Sequence, residues 1–219
     1  MKYNIIRSHI SIIVSCIILT IYYVDTPLAI FINNNVSRCV YNIFDKITFF
    51  GSFSFIVLIN LILLCFFIFR QHLSKIQDVE DKYKKLTKLL LFGIISQSIT
   101  AIIIQILKFL FGRMRPFYYI LANRPHNQFT FFNFQYEYVS FPSGHSAGTW
   151  ALITCLMIIF RNNKYSKLLI IPGVLISISR LILNVHYLSD IFMGALIGII
   201  LTSSIMKFLI DLSNIKLKY

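Results

Sequence analysis

The stretch "FSFIVLINLILLCFFIF" (53–69) carries no charged residue, and "LLLFGIISQSITAIIIQILKFLF" (89–111) carries one, Lys108. Runs of this length and polarity decide the solvent in which a chain folds. A helix crosses a bilayer with about 20 predominantly apolar residues, about 17 at the lower limit. Six segments qualify, at 8–24, 53–69, 89–111, 144–160, 168–185 and 189–210. Only 13% of the residues are charged, where a soluble domain carries about a quarter. The expected fold class is therefore all-α: a polytopic membrane protein with a six-transmembrane-helix bundle, forming one domain over 1–219. The segment "DTPLAIFINNNVSRCVYNIFDKITFF" (25–50) mixes asparagines with apolar residues, which predicts one or two short helices along the membrane interface. Lys2 and Arg7 precede the first run as they would in a signal peptide. Its exit, "YYVDTPLAIF", has no small-residue cleavage pattern, so the run is expected to stay as an anchor. Cys16, Cys39, Cys65 and Cys155 have no paired spacing and read as small hydrophobes.

A formal charge of +13 invites a nucleic-acid partner, but its distribution argues otherwise. Fourteen of the 21 Lys and Arg fall on the amino end, the loops at 70–88 and 161–167, and the carboxyl tail. The other seven are Arg38, Lys46, Lys108, Arg113, Arg115, Arg124 and Arg180. The positive-inside rule puts both termini in the cytoplasm and leaves the "KYKKLTK" cluster as a topology signal beside anionic lipid. No nucleic-acid partner is expected.

The informative residues stand on the opposite face. "KFLFGRMRP" ends the third run with Lys108, Arg113 and Arg115. "PSGH" opens the fourth with Ser143, Gly144 and His145. "SRLILNVHYLSD" brings Ser179, Arg180, His186 and Asp190 near the end of the fifth. Ionisable groups near membrane depth are costly and mark function by default. Singly, Lys108 and Arg115 could snorkel to the interface, and Arg180 could pair with Asp190. Arg113 fits the snorkelling description and is assigned no further part.

Together, the residues suit a tetrahedral anion. Ser143 is expected to cap a helix whose free amides and dipole favour phosphate, and Gly144 lets the backbone come close. Lys108, Arg115 and Arg180 supply charge and forked donors. His186 and Asp190, four apart, face one way on a helix, so the carboxylate can orient the imidazole. His186 would then attack phosphorus, while His145 protonates the leaving oxygen and later activates water. The carboxylates on this face, Asp25, Asp45, Glu137 and Asp190, are scattered along the chain. Metal ions of phosphoryl-transfer sites need clustered oxygen ligands, so neither metal nor other cofactor is expected.

Lys108 to Pro116 reads Lys-x6-Arg-Pro, Pro142 to His145 reads Pro-Ser-Gly-His, and Ser179 to Asp190 reads Ser-Arg-x5-His-x3-Asp. With these three motifs in this order, the chain resembles the type 2 phosphatidic acid phosphatase superfamily. The resemblance implies His186 as nucleophile, Asp190 as its partner and His145 as acid and base. It assigns Lys108, Arg115, Ser143, Gly144 and Arg180 to the phosphoryl group. Met114 stands where many relatives carry proline. The implied substrate is a lipid phosphate or diphosphate. Short loops and Ile/Asn/Lys-rich usage look bacterial, which favours lipid A phosphate or undecaprenyl diphosphate and a site facing the periplasm or exterior of the inner membrane. A phosphotransferase using the same histidine, or a lipid-phosphate carrier without turnover, shares these residues. "FTFFNFQYEYVSF" (129–141) alternates Phe132, Phe134, Tyr136 and Tyr138 with other residues. The alternation fits either a strand or hairpin beside the site or an aromatic belt at headgroup level.

Overall fold

The structure, a computed structural model, describes residues 2–122, 129–161 and 163–215, with side chains from residue 11 onward. Arg124, Lys216 and Lys218 of the charge count lie outside these residues, as do the side chains of Lys2 and Arg7. Nine α-helices follow one another in the described residues: α1 (Lys2–Tyr23), α2 (Asp25–Asn35), α3 (Arg38–Phe49), α4 (Phe53–Leu73), α5 (Gln77–Phe111), α6 (Pro116–Leu121), α7 (Gly144–Ile159), α8 (Ile170–Ile182) and α9 (Leu188–Leu212). By length and composition α4, α5 and α9 can each cross a membrane. Residues 11–23 of α1 together with α2, bent by 57°, make a fourth candidate. The expected count of six is not reached on this measure, because α7 has 16 residues and α8 has 13. The segment 25–50, expected along the interface, forms two helices, α2 and α3, and α2 is half of the bent candidate span. Side chains such as Phe53, Ile62, Ile102 and Phe208 are exposed along the bundle. Such apolar exposure suits lipid contact and would be a liability in water.

The bundle centres on α7, which packs against α5 and α9. Small residues allow the helices to cross at close range. On α9, Gly194 and Gly198 form a small-xxx-small stripe. A Cβ on Gly194 would strike the Ser143 carbonyl oxygen, and one on Gly198 would strike that of Ala147. On α5, a Cβ at Gly93 would strike the Cys155 sulfur of α7. All four cysteines are free, and Cys155 is fully buried at that crossing. Away from the motif residues, Phe67, Leu89, Leu90, Cys155, Ile159, Met206 and Ile210 form the hydrophobic core. Higher in the α4–α5 contact, Asn60 donates to Gln97 at 2.8 Å, a polar tie between two apolar helices.

Candidate active site

The motif residues sit at helix ends because turn chemistry puts them there. Gly112 ends α5 in the left-handed region, with φ 51°, and donates its N–H to the Lys108 carbonyl. A Cβ there would collide with the Thr130 carbonyl, so both backbone shape and space require glycine. The chain then runs extended through Arg113 to Arg115, the N-cap of α6, and Pro116 starts that helix where its missing N–H costs nothing. Ser143 caps α7 as expected, its hydroxyl accepting from the Ser146 amide at 3.4 Å. The Ser143 amide donates to the Asp190 carbonyl at 2.9 Å, which joins the beginnings of α7 and α9.

Lys108, Arg115, Gly144, His145, Arg180 and His186 line one cavity of about 600 Å³. They come from the last turn of α5, the start of α6, the start of α7, the last turn of α8 and the α8–α9 turn. The rest of the wall is largely apolar, with Phe53 and Ile56 of α4 and Ala101, Ile102 and Ile104 of α5 beside Thr100 and Gln105. Ser143 and Asp190 are fully buried and stand outside this lining. A Cβ on Gly144 would lie 3.7 Å from the Lys108 ammonium, ordinary contact, so glycine here is a matter of keeping that approach open and not of avoiding a clash. Arg180 donates to Thr48 at 2.8 Å and Arg115 stacks 3.9 Å from the centre of the Tyr136 ring. The Nε–H groups of both arginines are buried without a hydrogen-bond partner among the described residues. Unmet buried donors are costly, and an anion in the cavity would satisfy them.

Burial pushes the His186 imidazole down to about 3, and the Arg180 and Lys108 charges add to this against the pull of Asp190. The ring is therefore neutral throughout the physiological range, with a lone pair to offer. The expected helical i,i+4 relation to Asp190 is not how the two meet. His186 lies in the turn before α9, following Asn184 at φ 54°, and Asp190 reaches back as the third residue of the helix to accept from the Tyr187 amide at 2.9 Å. The His186 Nδ1 to Asp190 Oδ2 distance is 3.7 Å, too long for a direct hydrogen bond. The Ser140 hydroxyl lies beside both, 2.6 Å from Oδ2 and 3.4 Å from Nδ1.

Several expectations need correction. Arg113 does not snorkel to the interface: it is 5% exposed and donates to Asp190 Oδ1 at 2.6 Å, Asp25 Oδ2 at 2.9 Å and Ser189 Oγ at 2.8 Å. Burial by itself would lower its pKa, but the adjacent Asp190 and Asp25 carboxylates raise it. Nor are the carboxylates all scattered, since Asp25 and Asp190 flank this one guanidinium. Asp25 also accepts from the Ser189 amide and hydroxyl. Asp190 thus pairs with Arg113, and the suggested pairing with Arg180 is not the one formed. The aromatic stretch makes no strand ladder among the described residues, only one bridge between Arg113 and Phe129 and a short 3-10 turn at Tyr136–Tyr138. Its backbone serves instead to hold the 112–115 strap: Arg115 donates to Glu137, and Ser140 to Arg113. Phe132 and Phe134 remain largely exposed, Phe134 stacking on Phe109 at 4.0 Å.

The model of the PAP2 superfamily matches residues 86–212. Among solved structures, the chain is similar to the transmembrane PAP2 type phosphatidylglycerolphosphate phosphatase from Bacillus subtilis. That likeness has 19% identity, covers 96% of this chain and 98% of that one, and has a TM-score of 0.67. It is also similar to Aquifex aeolicus LpxE, at 27% identity over 84% of this chain and 94% of that one, with a TM-score of 0.57. No curated protein matches it. The 86–212 match takes in more than half of the sequence and every residue that brings charge or an imidazole to the cavity. The fold is that of the PAP2 membrane lipid phosphatases, and this chain belongs to the PAP2 superfamily.

Proposed function

We propose that the protein removes a phosphate from a lipid phosphomonoester or diphosphate through a phosphohistidine on His186, without a metal ion. The observation that carries this reading is the shared cavity, where three cations and two imidazoles meet together with apolar side chains of α4 and α5. Phe53 and Ile102 of that apolar wall are themselves exposed on the bundle surface, so a hydrocarbon tail can lie along it while the headgroup meets the charges.

Lys108, Arg115 and Arg180 hold the phosphoryl oxygens with the amides at the start of α7 and stabilise charge developing on them. The neutral His186 Nε2 attacks phosphorus; the bond to the lipid oxygen breaks, and that oxygen takes a proton from His145, whose imidazolium form is favoured by the negative charge of the bound phosphate. Water then attacks the phosphohistidine and gives a proton to the now neutral His145. The P–N bond breaks, releasing phosphate and restoring His186. Asp190 favours the cationic ring formed in the first step. Lipid A phosphate and undecaprenyl diphosphate are the favoured substrates, with the site on the periplasmic or exterior side of a bacterial inner membrane and both termini in the cytoplasm.

Phosphate release from lipid A, undecaprenyl diphosphate, phosphatidic acid and phosphatidylglycerol phosphate tests the reading. At least one is expected to turn over with wild type, and none with His186→Ala. Full turnover by that variant contradicts the nucleophile assignment.

A further inference from the structure

Ser140 lies two residues before the Pro-Ser-Gly-His motif and has no part in the mechanism above. It is fully buried, and its backbone amide is fixed to the Arg113 carbonyl at 2.9 Å. Its hydroxyl is 2.6 Å from Asp190 Oδ2 and 3.4 Å from His186 Nδ1, while those two atoms are 3.7 Å apart. We infer that Ser140 is the positioning residue that links Asp190 to His186 and selects the imidazole tautomer able to attack phosphorus.

Donor and acceptor arithmetic carries the inference. An ionised carboxylate only accepts, so the single Ser140 proton must point to Asp190 Oδ2. The hydroxyl oxygen is then left with acceptor capacity toward His186. A neutral imidazole has one N–H, and an acceptor facing Nδ1 draws it there. The chain Nδ1–H to Oγ–H to Oδ2 leaves the Nε2 lone pair free for phosphorus. When Nε2 bonds to phosphorus and the ring becomes cationic, the same chain conveys the Asp190 charge to it.

The remaining contacts of Asp190 keep the arrangement in place. Arg113 occupies Oδ1 at 2.6 Å, and the Tyr187 amide shares Oδ2 at 2.9 Å. With both oxygens engaged, the carboxylate has no freedom to swing and bond Nδ1 directly. The serine hydroxyl is in reach of both. Because Ser140 sits on the segment leading to α7, His186 in the turn before α9 and Asp190 in its first turn, the link also ties the acid–base histidine to the nucleophile.

The inference rests on His186 being the nucleophile, and the test separates the two claims. Ser140→Ala is expected to lower kcat by about 10–100-fold, by analogy with removing the outer partner of a metal-ligating histidine, with KM changed less than about twofold. In the Asp190→Asn background, Ser140→Ala should cost little more, since both changes break one chain. Near-wild-type kcat for Ser140→Ala beside an inactive His186→Ala overturns the role of Ser140 and leaves the nucleophile standing. An active His186→Ala overturns the nucleophile itself. Losses that multiply fully in the double variant also overturn the link. Should Ser140→Ala not fold, nitrogen-15 NMR of histidine-labelled wild type decides, with His186 assigned by its absence in His186→Asn. The expected form has Nδ1 protonated and Nε2 bare, and the opposite tautomer refutes the inference.

Discussion

Replacing Arg113 by methionine removes the cation between two fully buried carboxylates and leaves a side chain of comparable length. Asp25 and Asp190 are 1% and 0% exposed, so neither can turn to water for compensation. Breaking a buried ion pair by deleting one partner costs about 3–5 kcal/mol. For a chain of this size, each kcal/mol corresponds to about 2–4 °C in melting temperature, so a fall of roughly 6–20 °C is expected. Turnover should fall as well, because Asp190 loses the partner that holds Oδ1. Adding Asp25→Asn to Arg113→Met removes one of the two stranded charges and should recover part of the melting temperature. Arg113→Lys keeps the charge but not the fork that reaches Asp25, Asp190 and Ser189 together, and should fall between. Thermal unfolding of the purified protein in detergent, followed by phosphate release, measures all four. Arg113→Met that melts within about 2 °C of wild type and turns over fully would show a surface arginine at the interface, and the buried network would be wrong.

Gly198→Leu should destabilise the α7–α9 crossing severely, since even a Cβ there strikes the Ala147 carbonyl; a wild-type melting temperature and elution profile would contradict the close crossing. The His186 ring should show no protonation in NMR between pH 7.5 and pH 5, because its pKa is lowered to about 3 and the neutral form is lost only as pH falls through that value. A midpoint near the ordinary histidine pKa of about 6.5 would mean the ring is far better hydrated than its burial implies. EDTA should leave phosphate release intact and vanadate should inhibit it, whereas loss of activity on chelation would require a metal step.

The cations and imidazoles of the cavity were legible from the sequence because each belongs to a short motif near a helix end, whereas its apolar lining from α4 and α5 was not. Ser143 before Gly144, and Arg115 before Pro116, are local signals whose outcome depends on neighbouring backbone. What the sequence could not convey were contacts made across long separations. Arg113 reads as a snorkelling side chain because its partner Asp25 is 88 positions away, on a helix whose polarity suggested only an interface. A lone carboxylate in "YYVDTPLAIF" was the available clue: an apolar stretch that keeps an aspartate needs a cation somewhere. The spacing of His186 and Asp190 suggests a helical pair, yet the Asn184 turn ends α8 early and leaves His186 outside the helix. The alternation of Phe132 to Tyr138 suggested strand or belt. No ladder forms because the backbone of this stretch is spent on fastening residues 112–115.

The central claim is that phosphorus passes through a bond to one nitrogen of this chain. Mixing the enzyme with a lipid phosphate that it hydrolyses, quenching in base within a turnover, and mapping the peptides by mass spectrometry tests this directly. The account predicts a phosphate-sized increment on the peptide bearing His186, stable in base, lost in acid and absent from His186→Ala. Turnover with no increment at His186, or with the label on another residue, would contradict it.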